Sequence, residues 1–294
     1  AWWLFLSSLK NELFPTHKIK ISKFKSLRPA HVISYSHAKQ DTCLCSHCEN
    51  VKLMAAAFIP HLLDKSSVFD FMNKLSCDKL NYQCSIGKCQ KCRDVPSTID
   101  SLLNPDSGEN PVKFMRWEKI DFFYERVNVS GHTLDEMILK FEPDFSAYKL
   151  HYFIQIEQKS FLKEDIDTLG DNEAIIICDF AERFTTRARR EIQSSYFGKK
   201  QISLFTVKLY IGSNDYSYVI ASDEKNQSKF TVYAYLDRII EIAKDLNPIL
   251  THVKVYSDGC AGQFKNRFMM FNLLHAPNDF GVTLEWNFFG TGHG

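Results

Sequence analysis

No stretch of the chain approaches the roughly 18 consecutive apolar residues that a membrane-spanning helix needs. The apolar run Trp2 to Leu6 is too short for the core of a secretory signal. Net charge is as bare: 36 Lys and Arg meet 35 Asp and Glu, a formal +1. The total therefore selects no partner, and no membrane is expected. Without a secretory signal, nothing supports an oxidising compartment for the nine cysteines. The chain also lacks a starting Met, and it stops at Gly292-His293-Gly294 just after an apolar, strand-like run. Both ends read as cuts within a longer polypeptide.

What is present is an ordinary globular composition, 45% hydrophobic and 24% charged over 294 residues. That length allows a large core and roughly two domains. Charge is uneven locally. Lys10, Lys18, Lys20, Lys23, Lys25 and Arg28 meet only Glu12 in the first 30 residues. Arg183, Arg187, Arg189, Arg190, Lys199 and Lys200 meet only Glu191. Such blocks suit a polyanion, although either block alone reads better as a solvated helix face.

Seven cysteines crowd into residues 43–92: Cys43, Cys45, Cys48, Cys77, Cys84, Cys89 and Cys92. The pairs Cys45-x-x-Cys48 and Cys89-x-x-Cys92 have the spacing that lets neighbouring thiolates share one tetrahedral Zn²⁺. Cys43, His47 and Cys84 are alternates. The long gap between the pairs predicts a helical insertion, supplied by the Ala-rich run Asn50 to Leu63. Disulfides and free buried thiols are the competing readings. The prolines and glycine of residues 93–113 predict a linker. From Lys113 to Leu169 the spacing predicts helix, broken at Pro143 and stopped by Gly170. His132 and His151 fall there without an assigned role.

The remaining stretch is the informative one. It predicts strands over Ala174–Phe180, Ile202–Ile211, Tyr216–Ser222, His252–Ser257 and Val282–Phe288. Helices are expected over Phe230–Leu246 and Cys260–Leu274, the latter with Phe264, Phe268 and Phe271 on one face. Three strands, a helix, a strand, a helix and a strand is the order of a ribonuclease H-like fold. The expected fold class is therefore α/β, a mixed sheet flanked by helices. It follows a mostly helical, Cys-rich N-terminal region (residues 1–110) and a helical linker region (111–170), with the core over 171–294. In that fold the first and fourth strands are neighbours, which brings Asp179 and Asp258 together. Two adjacent carboxylates repel, and a divalent cation relieves the repulsion; oxygen ligands suit Mg²⁺ or Mn²⁺. Such ions activate the attacking oxygen and stabilise the leaving one in phosphodiester cleavage.

Asp179-Phe180-Ala181-Glu182, then Ser257-Asp258-Gly259-Cys260-Ala261-Gly262-Gln263-Phe264-Lys265-Asn266-Arg267, then Trp286 to His293, together resemble DDE-type transposases, as found in eukaryotic DNA transposons. The likeness extends loosely upstream through Leu27-Arg28-Pro29 and the Cys43 to Asn50 cluster. It implies that Asp179 and Asp258 are the first two catalytic acids, with a third beyond the segment matching Gly292-His293-Gly294. Glu285 precedes that place and reads as a structural strand residue. His293 matches a recurring His near the scissile phosphate. Gln263, Lys265 and Arg267 would touch DNA, or equally form a polar helix face; Arg187, Arg189 and Arg190 are stronger candidates for backbone contact. Cys178 and Cys260 read as packing. The implied function is metal-dependent strand cleavage and transfer in the nucleus, with transposon ends and target DNA as partners and self-association left open. A domesticated or relic DNA-binding protein without catalysis is an alternative, as is a zinc-dependent interaction module. The Asp-Phe-Ala-Glu spacing departs from the exonuclease pattern, which ranks a nuclease of that branch lower.

Overall fold

A computed structural model describes residues 45–64, 66–105, 111–185, 192 and 201–290. The basic block of residues 1–30 and most of the block after Arg183 lie outside these residues. The described residues belong to one compact unit.

Four helices open it: α1 (Ser46–Phe58), α2 (Val68–Lys74), α3 (Tyr82–Ser85) and α4 (Val95–Leu102). The predicted Ala-rich helix is α1, and Pro60 turns its end into a short 3₁₀ segment, Ile59–His61. The predicted linker contains α4 instead. Asp94 caps it through Ser97 N, and Pro96 sits in its first turn. A proline there loses no helical hydrogen bond, so a residue read as punctuation starts a helix.

The predicted helix after Lys113 begins as a hairpin. Strands β1 (Val112–Ile120) and β2 (Phe123–His132) pair antiparallel around Asp121-Phe122. Asp121 takes a left-handed φ of 54°, a conformation that Asp tolerates better than most residues. Helix α5 (Leu134–Asp167) then runs unbroken through Pro143. A capping box between Thr133 and Glu136 starts it. Pro143 does not break it because packing holds both flanks. Phe141 and Phe145 are fully buried; Phe141 packs against Phe58 and Phe71, and Phe145 stacks on Phe141. Met54, Leu75, Ile99 and Met137 complete this first core.

The second core lies on a five-stranded mixed sheet of β3 (Glu173–Thr185), β4 (Gln201–Ile211), β5 (Asn214–Ser222), β6 (His252–Ser257) and β7 (Thr283–Phe288). Their order is β5-β4-β3-β6-β7. β4 is antiparallel to β3 and β5, whereas β3, β6 and β7 are parallel. Gly212, at φ 54°, supplies the left-handed residue of the tight β4–β5 turn. Along β4 the buried residues alternate strictly: Ser203, Phe205, Val207, Leu209 and Ile211. They meet Ala174, Ile176 and Cys178 of β3, Val253 and Val255 of β6, and Val232, Leu236 and Ile239 of α6 (Lys229–Leu246). Helix α7 (Arg267–Asp279) closes this face with Met269 and Ala276.

The C-terminal half of α5 covers the opposite face. Asp165, 8% exposed, pairs with Lys254 Nζ at 2.8 Å and accepts from the Tyr256 hydroxyl. Gln158 donates from Nε2 to Phe288 O at 2.9 Å, and its Oε1 accepts from Gly290 N at 2.7 Å. One helix thus fastens the first core to the last two strands.

Pro143 is exposed, so its substitution tests the helix without disturbing the core. Replacement by Ala restores a backbone donor and removes the ring clash, a gain of about 1–3 kcal/mol. Urea unfolding of Pro143→Ala should show a higher midpoint; a lower one would mean that α5 needs its proline.

Candidate functional site

Asp179 lies towards the end of the buried part of β3, and Asp258 directly follows β6. The parallel register of these neighbouring strands ends with Ile177 opposite Tyr256; Asp179 and Asp258 each lie two residues beyond that pair, near enough for the Asp258 charge to act on Asp179. Such strands lie roughly 4.8 Å apart. Backbone contacts fix both acids. Thr206 Oγ1 donates to Asp179 O, and Phe180 N donates to Asp179 Oδ1 at 2.8 Å. Cys260 N donates to Asp258 Oδ1 at 3.0 Å. The indole N–H of Trp286 donates to Ser257 Oγ, and Phe289 N donates to Ser257 O, which hold the end of β6.

Among the described residues neither carboxylate has a Lys or Arg partner within 4.0 Å. Asp179 is accordingly held above the usual carboxylate range, first by burial and then by the Asp258 charge. Cys178 is buried and its thiol is pushed up by burial and by both acids, so it is a packing residue. Cys260 is exposed, which corrects the expectation that it packs. The helix expected from Cys260 starts later, because Asn266 caps α7 through Met269 N. Gln263 and Lys265 therefore sit in the loop before α7, and Arg267 opens the helix. Phe264 anchors that loop, fully buried against Phe180 and Trp286. Phe271, predicted to share its face, is 59% exposed. Glu285 accepts from its neighbour Asn287 and lies 3.8 Å from His252; it stays a strand residue, as expected. Arg187, Arg189, Arg190 and His293 lie outside the described residues.

The cysteines sort differently from the expected pairing. Cys89 and Cys92 join Cys77 and Cys84, while Cys45 and Cys48 meet His151 on α5. The reason is topological: residues 77–92 form a self-contained loop around α3, and α1 carries Cys45 and Cys48 away to α5. Spacing revealed each close pair but not which pairs meet. The Cys77 sulfur lies 3.4, 3.5 and 3.6 Å from those of Cys84, Cys89 and Cys92. Four sulfurs about 2.3 Å from a tetrahedral ion would be about 3.8 Å apart. All four are thiols. Burial, then the neighbouring sulfurs, pushes Cys84 up to about 12, whereas backbone N–H of Lys91 and the Cys77 thiol pull Cys89 down to about 6. This cluster can hold a metal such as zinc, whose charge would stabilise all four as thiolates. Cys77 is the member of this cluster that sequence reasoning left out of the expected ligand set; it belongs to no Cys-x-x-Cys pair.

In the other cluster, Cys45 Sγ lies 3.4 Å from His151 Nε2 and accepts from Cys48 N at 3.4 Å. Burial, then His47, lowers the His151 pKa and favours its neutral, ligating form. His47 does not join this donor group; its Nε2 is buried without a hydrogen bond. Cys43 lies outside the described residues.

Residues 158–294 match a family described as Domain of unknown function (DUF8701). The match begins within α5 and takes in the whole five-stranded sheet with both acids, leaving both cysteine clusters outside it. No curated protein and no solved structure matches the chain. No helix among the described residues is long and apolar enough to cross a membrane.

Two stability measurements probe this face of the sheet. Asp165→Ala leaves Lys254 poorly solvated and unpaired, a loss of about 3–5 kcal/mol. The Lys254 pKa is raised by its bond to Asp165, and the Tyr256 pKa is raised by burial and then by Asp165. Their contribution is therefore complete below pH of about 10 and lost as pH rises further; Asp165→Ala should weaken that alkaline sensitivity in denaturation curves, leaving the part that burial of Tyr256 causes. Asp179 has the opposite consequence for neutral pH. Its folded pKa exceeds the unfolded one, so ionised Asp179 costs stability. Asp179→Asn should raise the neutral-pH melting midpoint, with the gain vanishing below pH of about 4.

Proposed function

We propose that residues 173–290 form the ribonuclease H-like core of a DDE-type polynucleotidyl transferase, in which Asp179 and Asp258 bind Mg²⁺ or Mn²⁺. One observation carries this reading: two acids, unpaired by any cation among the described residues, lie two residues beyond the last paired residues of the neighbouring parallel strands β3 and β6, in a sheet ordered β5-β4-β3-β6-β7. Keeping two like charges together costs stability, and an arrangement of this kind is explained when a dication occupies it. Their remaining oxygens offer hard ligands for such an ion. In such a site the ion activates an attacking water or 3′-hydroxyl and stabilises the leaving oxygen of a DNA phosphodiester.

On this reading Gln263, Lys265 and Arg267 contact phosphate beside Asp258. The segment with Arg187, Arg189 and Arg190, and His293, serve the same nucleic acid from outside the described residues. Zinc on Cys77, Cys84, Cys89 and Cys92 is structural, because all four positions are filled by protein sulfur. The protein acts in the nucleus on transposon ends and target DNA. A DNA-binding protein without catalysis is the second reading. It fits the same pair of acids, because the third acid that the resemblance implies falls beyond the segment matching Gly292-His293-Gly294.

Titration with Mn²⁺, followed by thermal unfolding, tests the metal site. The wild type should gain about 2.7 kcal/mol at a hundredfold excess over its dissociation constant, and Asp179→Asn and Asp258→Asn should gain nothing. Equal stabilisation of all three proteins would reject metal binding at these acids. A Mn²⁺-dependent nick in duplex DNA, lost in both variants, would then separate the transferase from the second reading.

A further inference from the structure

We propose that Cys45, Cys48 and His151 form a second metal site, independent of the four-cysteine cluster, in which a zinc ion ties α1 to α5. The donors come from places that chance would not bring together. Cys45 is the residue that caps α1, and Cys48 lies one turn on, at 1% exposure. The i, i+3 spacing puts both sulfurs on the same side of the helix. His151 is 106 residues further along, in the middle of α5. Their three ligand atoms all lie within 4.8 Å of one another. A tetrahedral zinc with sulfur at about 2.3 Å and imidazole nitrogen at about 2.05 Å would separate those two donors by about 3.5 Å. The Cys45 Sγ to His151 Nε2 distance is 3.4 Å.

The surroundings suit the ion as well. Cys48 N donates to Cys45 Sγ, the kind of outer contact that orients a sulfur ligand. Two sulfurs and one imidazole are a donor set that selects zinc over the hard cations expected at the acids. The fourth position takes water or one further side chain. The ion would replace an ordinary helix contact with a crosslink between α1 and α5. Since α5 also carries Gln158 and Asp165, that crosslink fixes the helix that supports β6 and β7. The inference does not rest on the transferase reading.

Zinc and thiol content of the full chain, purified under reducing conditions, decides the matter. The wild type should hold about two zinc ions per chain, and His151→Gln about one. Cys84→Ser with Cys92→Ser should also leave about one, from the other cluster. His151→Cys should restore the second ion, and its cobalt(II) form should show stronger thiolate charge-transfer absorption than wild type. About one zinc in the wild type would overturn the proposal, as would an unchanged content in His151→Gln. A disulfide between Cys45 and Cys48 in the purified protein would overturn it too. If His151→Gln fails to fold, the wild-type count and His151→Cys still decide.

Discussion

The structure depends on one helix being held at both ends by different chemistry. Helix α5 has 34 residues, about 51 Å at 1.5 Å per residue. Its first half is held by aromatic packing, with Phe141 buried against Phe58 and Phe71 and Phe145 stacked on Phe141. Its second half is held by polar contacts, since Asp165 meets Lys254 and Tyr256 and Gln158 brackets the end of β7. A buried carboxylate tolerates its desolvation only when its oxygens are satisfied, and here a cation and a hydroxyl do so. That requirement fixes both the rotation and the axial position of α5 against the sheet.

Asp179 and Asp258 show the converse case. They occupy the same sheet, a few residues beyond β6 partners that are satisfied, yet no cation neutralises them among the described residues. Each receives one backbone N–H, which steers a carboxylate without cancelling its charge. The strand ends are rigid because Trp286, Thr206 and Phe289 bind their backbone or flanking hydroxyl. A rigid, under-neutralised pair is costly to folding and suited to binding a dication, which is the trade expected at a functional site.

The cysteines separate into two groups for a related reason. Residues 77–92 close a short loop, so their sulfurs meet at little entropic cost. Cys45 and Cys48 reach His151 only because α1 and α5 pack together through their aromatic core. The first group depends on local chain geometry and the second on the tertiary fold. This difference explains why close Cys-x-x-Cys pairs were legible while their partners were not.

All five strands of the main sheet were legible in the sequence, along with α1 and α6, although β3 runs five residues beyond the expected Phe180. Alternating apolar residues in β4 and continuous ones in β3 and β6 carry that information locally, because strand burial has a period of two. The two acids were legible for the same reason, as charges that end apolar runs. The tertiary structure alone decided the rest. It turned residues 112–132 into a hairpin, carried α5 through Pro143, and delayed α7 by using Asn266 as its cap and Phe264 as a core plug. In each case long-range packing outweighed a local signal of a few kcal/mol at most. It also assigned Cys77 and His151 their partners, since ligands far apart in sequence leave no spacing to read.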